Sequence, residues 1–77
     1  MENAIPLSGA EVGGRYIVTE LPAEKRLRMR LMTLGLLERS VVKITCRYGN
    51  YLIVRVFDST NIGLDGNVAV EIKVEPR

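Results

Sequence analysis

Between residues 41 and 75 the chain is a succession of short alternating stretches, each broken after a few positions by turn residues. No other feature restricts its possible folds so strongly. Val41-Val42-Lys43-Ile44-Thr45-Cys46-Arg47 alternates with a period of two, which turns Val42, Ile44 and Cys46 inward and Lys43, Thr45 and Arg47 outward. Tyr48-Gly49-Asn50 follows as a turn, its Gly-Asn supplying the positive φ that tight hairpins need. Residues 51–57 form the strongest strand, with Leu52, Val54 and Val56 inward. Asp58-Ser59-Thr60 turns the chain again, residues 61–64 make a short strand, and Asp65-Gly66-Asn67 is a turn that starts one helical turn. Residues 70–75 close as a last alternating strand before Pro76.

Upstream, Arg15-Tyr16-Ile17-Val18-Thr19-Glu20-Leu21 is β-branched and aromatic, a first strand with Ile17, Thr19 and Leu21 on one side and Tyr16 and Val18 on the other. Before it, Ser8 and Glu11 have capping-box spacing, which predicts one helical turn ended by Gly13-Gly14. Five short strands are too few for a sandwich and suit a small, strongly bent barrel, which removes most exposed edges. The expected fold is mainly β: a single-domain, five-stranded SH3-like barrel with one α-helix between its first and second strands. At 77 residues there is no room for a second domain.

One stretch reads as a full helix, from Glu24 to the neighbourhood of Gly35. Pro22 suits its first turn, where a missing N–H has no partner to lose. Gly35 suits the residue just past the end, where φ is positive, and Leu36 then folds back on Leu31. At 100° per residue Ala23, Leu27, Leu31 and Leu34 form the stripe that faces the core. Arg26 and Arg30 lie on one flank and Arg28 on the other, with Glu24 placed as an i,i+4 partner for Arg28. Met29 falls nearly opposite the core stripe, and Met32 and Lys25 share its outer half. An outward Met among cations is either an isolated exposed apolar residue, which is common, or part of a docking surface, for which its adaptability suits it.

Catalysis has little to work with. The chain has no His, its carboxylates are scattered, and Cys46 has no base beside it in the sequence. By alternation Cys46 is a buried structural thiol. Gly13-Gly14 precedes a strand and so is no phosphate loop, and Asp65-Gly66-Asn67 is ordinary turn chemistry rather than a calcium loop. These readings give no catalytic residue, no metal site and no cofactor. They point away from an enzyme and toward a binding module. A single cysteine fits a reducing compartment. No signal peptide pattern and no apolar run of ~20 residues is present, so the chain reads as cytoplasmic, without direct membrane insertion. Four basic residues between Lys25 and Arg30 could meet phosphates, but the net charge of only +2 and the four aromatics weigh against nucleic acid. Tyr48 and Tyr51 flank a turn and either pack across the strand pair or stack on bases.

With these residues laid out, the chain resembles the ferrous iron transport protein A family, FeoA. Leu7-Ser8 followed by Val12-Gly13-Gly14 is similar to the family's opening, and Arg30-Leu31-Met32-Thr33-Leu34-Gly35-Leu36 to its Arg-Leu-x-x-Leu-Gly-Leu signature. Val42 and Ile44 fit the strand that follows, and Ala69, Ile72 and Val74 fit the closing pattern. Glu38-Arg39 stand where the family usually has Pro-Gly, which puts Arg39 at an uncommon positive φ or changes the turn. The middle hairpin also lacks the Pro that commonly precedes its second strand. The resemblance implies an accessory or regulatory role in ferrous iron uptake, exerted by binding the cytosolic part of the FeoB transporter, with peripheral placement at the inner membrane face through that partner. The family is also described as binding transition metals, and related domains are appended to iron-dependent repressors of the DtxR type. The expected partner surface is the outer helix face, Arg26, Met29, Arg30 and Met32, with Leu31 holding the helix to the barrel. Two alternatives are a nucleic-acid-binding small barrel and a metal-responsive regulatory domain. Self-association through an outward apolar patch is a further expectation.

Overall fold

The alternating stretches do pair into one sheet. The computed structural model describes residues 3–77, with strands β1 (Ile5–Pro6), β2 (Arg15–Glu20), β3 (Val41–Tyr48), β4 (Tyr51–Val56), β5 (Thr60–Leu64) and β6 (Lys73–Pro76). They lie in the order β1-β6-β2-β3-β4-β5, every neighbouring pair antiparallel. Helix α1 (Lys25–Thr33) connects β2 to β3, and the single-turn α2 (Gly66–Ala69) connects β5 to β6. The fold is the small SH3-like β-architecture expected, with one difference in strand count. The two-residue β1 precedes the strand expected to be first, so the helix follows β2.

Register explains the core. Val42 lies opposite Val56, Ile44 opposite Val54, Val54 opposite Ile62 and Leu52 opposite Leu64, and all seven of these side chains are buried. Residues directly opposite share a face, so period-two alternation on three strands builds one continuous apolar layer. Tyr16, Val18, Ile72 and Val74 extend the same buried cluster.

Past Ile44 the alternation fails. The register shifts there, Cys46 pairing with Ile53 instead of continuing the inward series. The extra residue, Thr45, donates its hydroxyl to the Ile53 carbonyl at 3.0 Å. Such a bulge turns the following side chains over. Cys46 therefore shares the outer face with Ile53 and is half-buried, which corrects the expectation of an inward, buried thiol.

The helix is shorter than its sequence signals imply. Its N-cap is Glu24, extended at φ −66° and ψ 123°, so Pro22 is a buried linker residue and not part of the first turn. With Glu24 outside the helix, its pairing with Arg28 does not form. Arg28 instead donates from Nη1 to the carbonyls of Pro22 (3.2 Å) and Ala23 (2.7 Å). The C-terminus follows expectation closely. Gly35 stands at φ +103°, its N–H donates to the Met32 carbonyl at 3.0 Å, and that of Leu36 donates to the Leu31 carbonyl at 2.9 Å. This is the full Schellman pair, and it returns Leu36 to the core.

The turn at Leu37-Glu38-Arg39-Ser40 is closed by Ser40 N–H donating to the Leu37 carbonyl at 3.0 Å, and Arg39 takes φ +75°. Buried Ser40 completes it by accepting the Leu37 N–H on Oγ at 2.9 Å. A non-glycine residue in this region is strained by about 1–2 kcal/mol, partly offset by the extra unfolded-state freedom of a glycine. Arg39→Gly should therefore stabilise the domain by about 0.5–1 kcal/mol, raising the urea midpoint at constant m-value. An unchanged or lower midpoint would show that the turn stores no strain at Arg39.

Two smaller corrections concern local signals. Residues Leu7–Gly9 form a single 3-10 turn capped by Pro6 with no side-chain cap, so the Ser8–Glu11 box does not form. The Glu11 N–H is taken instead by the Tyr16 hydroxyl at 2.9 Å. Phe57, expected at the end of a strand, leaves it: Phe57 (φ 51°) and Asp58 (φ 61°) both occupy the left-handed region in the β4–β5 turn, and Arg15 reaches Asp58 at 3.6 Å. The Asp65 turn behaves as read, its carboxylate accepting the Asn67 N–H at 2.8 Å and starting α2.

Candidate functional site

Helix α1 is attached to the sheet by very little. Within it only Leu31 is fully buried, with Leu27 partly buried beside it and Leu36 entering the core just past the end. A nine-residue helix makes two and a half turns, so one apolar side chain per turn is all it can lay on the sheet. Ala23 and Leu34, expected on the core stripe, are exposed. The helix begins after Ala23, and the reversal at Gly35 lets Leu36 take the place that Leu34 would have filled.

The rest of α1 faces outward. Met29 and Met32 are 53% and 45% exposed, and Leu34 and Leu37, at the end of the helix and just beyond, are 49% and 43% exposed. Lys25, Arg26 and Arg30 are exposed around Met29, and Arg28 is half-buried through its bonds to the preceding loop. The helix contains four cations and no acid. Lys25 and Arg26 occupy the first turn, where the helix dipole disfavours positive charge. Arg26 and Arg30, four apart, are like charges on one flank. Neither placement stabilises the helix. The only ion pair among the described residues is Arg15–Asp58, on another part of the surface.

Four of the residues expected to form the partner surface, Arg26, Met29, Arg30 and Met32, are thus all exposed on one helix, and Leu31 lies beneath them in the core. The sequence reading missed Leu34 and Leu37. The signal for Leu34 was present in Gly35: a reversal there ends the helical stripe one residue after Leu34, so the stripe could not count it as core.

Elsewhere the chemistry is sparse. Tyr48 and Tyr51 stand directly opposite one another, and the Tyr51 ring lies over Gly63 of β5, where an added Cβ would collide with the phenol. Tyr51 thus packs across to β5 on a glycine, whereas Tyr48 is 67% exposed. The Tyr48 phenol is raised above its ordinary value, chiefly by the neighbouring Cys46. A shallow groove beside the 37–40 turn is lined by Ile17, Val18, Thr19, Glu38, Arg39 and Glu75. Among the described residues no three His, Cys, Asp or Glu side chains gather in a metal-holding arrangement, and no helix is long and apolar enough to cross a membrane.

A short curled sheet with one lightly attached, outward-facing helix defines a small SH3-like domain with a candidate interaction face. The chain belongs to the FeoA family, whose domain model matches residues 5–76. Membership places it among the small accessory domains of ferrous iron uptake. The FeoA protein of Chlorobium tepidum, solved in solution, is 28% identical with a TM-score of 0.84, over 94% of this chain and 70% of that one. A crystallised iron uptake regulatory protein (FeoA) is 19% identical with a TM-score of 0.82, over 96% and 97% of the two chains. A manganese-dependent transcriptional repressor in complex with manganese is 16% identical with a TM-score of 0.91; it matches 100% of this chain but only 38% of its own. At such identities the last two show a shared fold alone. No curated protein matches the chain.

Proposed function

We propose that this domain acts in ferrous iron uptake by binding the cytosolic part of an FeoB-type transporter through the outer face of α1. One observation carries the reading. Met29, opposite the core side of the helix, is 53% exposed and surrounded by exposed cations, on a helix that keeps only Leu31 fully buried. Met is a flexible, polarisable side chain suited to an interface, and the central apolar residue of such a face is where binding energy concentrates. Arg26, Arg30 and Met32 form the rest of the face, and Leu34 and Leu37 continue it past the end of the helix.

Met29→Asp separates binding from stability. Because the side chain is exposed, the substitution should change stability by less than about 0.5 kcal/mol, which for a domain of this size is a melting shift of at most about 4 °C. Binding to FeoB's cytosolic region, measured by biolayer interferometry, should weaken at least tenfold. A large drop in melting temperature would make Met29 a core residue, and unchanged affinity would move the interface off this helix.

A further inference from the structure

The partner segment that this face receives has a definite chemistry. We infer that it is acidic and amphipathic: carboxylates spaced about one helical turn apart, flanking an apolar side chain that meets Met29. This rests on the binding role proposed above and adds what the partner presents.

The argument begins with charge. Arg26 and Arg30 are four residues apart, about 6 Å along the axis, and both are exposed. Lys25 sits beside Met29 on the same outer arc. No carboxylate of α1 answers them, and Glu24, the nearest acid before the helix, lies outside it as the N-cap without a side-chain capping bond. Arg28 is different, since its guanidinium is committed to two backbone carbonyls. So Lys25, Arg26 and Arg30 are the cations available to a partner. Their arrangement costs the isolated domain something, through like-charge repulsion at i,i+4 and cations at the positive end of the helix dipole. A carboxylate from a partner removes both penalties, and the arginine fork accepts a carboxylate in a two-bond geometry.

The apolar component narrows the choice among anionic partners. Met29 lies inside the ring of cations, so the partner needs an apolar group between its charges. A phosphate backbone places charge there instead. A lipid surface offers both, but an interfacial helix buries a broad apolar face. Here the leucines within α1 point to the sheet, and the exposed apolar residues, Met29 and Met32 with Leu34 and Leu37 past the end of the helix, are divided by exposed Arg30 and so form no continuous broad face. A protein segment with alternating or helically spaced acidic and apolar residues supplies both at the required scale.

The test uses the whole domain against FeoB's cytosolic region at 50 and 300 mM NaCl, with R26Q/R30Q and R26E/R30E as variants and anionic and neutral phospholipid vesicles as a second arm. The dissociation constant should rise at least tenfold across the salt range. R26E/R30E should bind at least tenfold more weakly than R26Q/R30Q, because like charges brought together across an interface are penalised beyond the loss of attraction. Both variants should melt no lower than the parent, the two arginine side chains being exposed and their charges unfavourable to the isolated helix. Salt-independent binding that tolerates charge reversal but is lost in Met29→Asp would overturn the acidic segment and leave the FeoB reading intact. Absence of binding by the parent domain would overturn both. Capture on anionic vesicles that is lost in R26E/R30E, with FeoB binding unaffected, would assign the cations to lipid and overturn the inference.

Discussion

Leu52→Ala should destabilise the domain by about 2–5 kcal/mol, the cost of deleting a fully buried leucine and leaving a cavity. Leu52 is at zero exposure in β4, directly opposite Leu64 of β5 and next along its face to Val54. Its neighbours are held on both sides by ladder pairing, so the sheet has little freedom to collapse into the space. A domain of this size has a small core, and each kcal/mol is worth roughly 4–8 °C of melting temperature. A fall of at least ~8 °C by calorimetry is expected. A loss below about 1 kcal/mol would mean that the core is not organised on this face of β4.

Leu31→Ala removes a similar volume but should behave differently. Leu31 is the only fully buried side chain within α1, so the loss falls on the attachment of the helix before it reaches the sheet. A helix this short has little stability of its own in water. Its amides should therefore open locally, exchanging with solvent much faster than those of β3 and β4, whose pairing does not involve Leu31. The expected result by hydrogen exchange is a loss of protection over residues 28–36 that exceeds the loss in the central strands by at least tenfold. Equal loss everywhere would show that α1 and the sheet unfold as one unit. Binding by this variant would weaken as well, because a detached helix no longer presents Met29 between its cations.

These two contrasting expectations follow from a fold whose strands were much easier to read than its helix. Val42, Ile44, Leu52, Val54 and Val56 were placed inward by alternation alone, and all are buried. Period-two patterning is local, and a strand's two faces need no knowledge of distant residues. The turns at Gly35 and Asp65 were legible for the same reason, since a positive φ or an Asx cap is decided within three or four residues. Arg39 was legible only as a departure: a residue standing where a glycine is usual, which then takes the glycine's conformation at φ +75°.

The errors share a different cause. Simple alternation turns Cys46 inward, but the bulge at Thr45, visible only in the pairing with β4, turns it out. Ala23 misses the core because the helix begins only at Lys25, and Leu34 because the reversal at Gly35 gives its place to Leu36. The i,i+4 spacing of Glu24 and Arg28 pairs them only if both are helical, and Glu24 is the extended N-cap.

The sequence by itself determined the succession of elements from β2 onward, though not the two-residue β1, together with the inward residues of β3 and β4 as far as Ile44, the helix C-cap and the presence of Met29 among cations. All of these depend on neighbours within a few residues. Only the tertiary structure decided how much of α1 the sheet covers, and hence that Ala23 and Leu37 are left at the surface. Exposure belongs to a residue's surroundings, and those are assembled from strands that are distant in the chain.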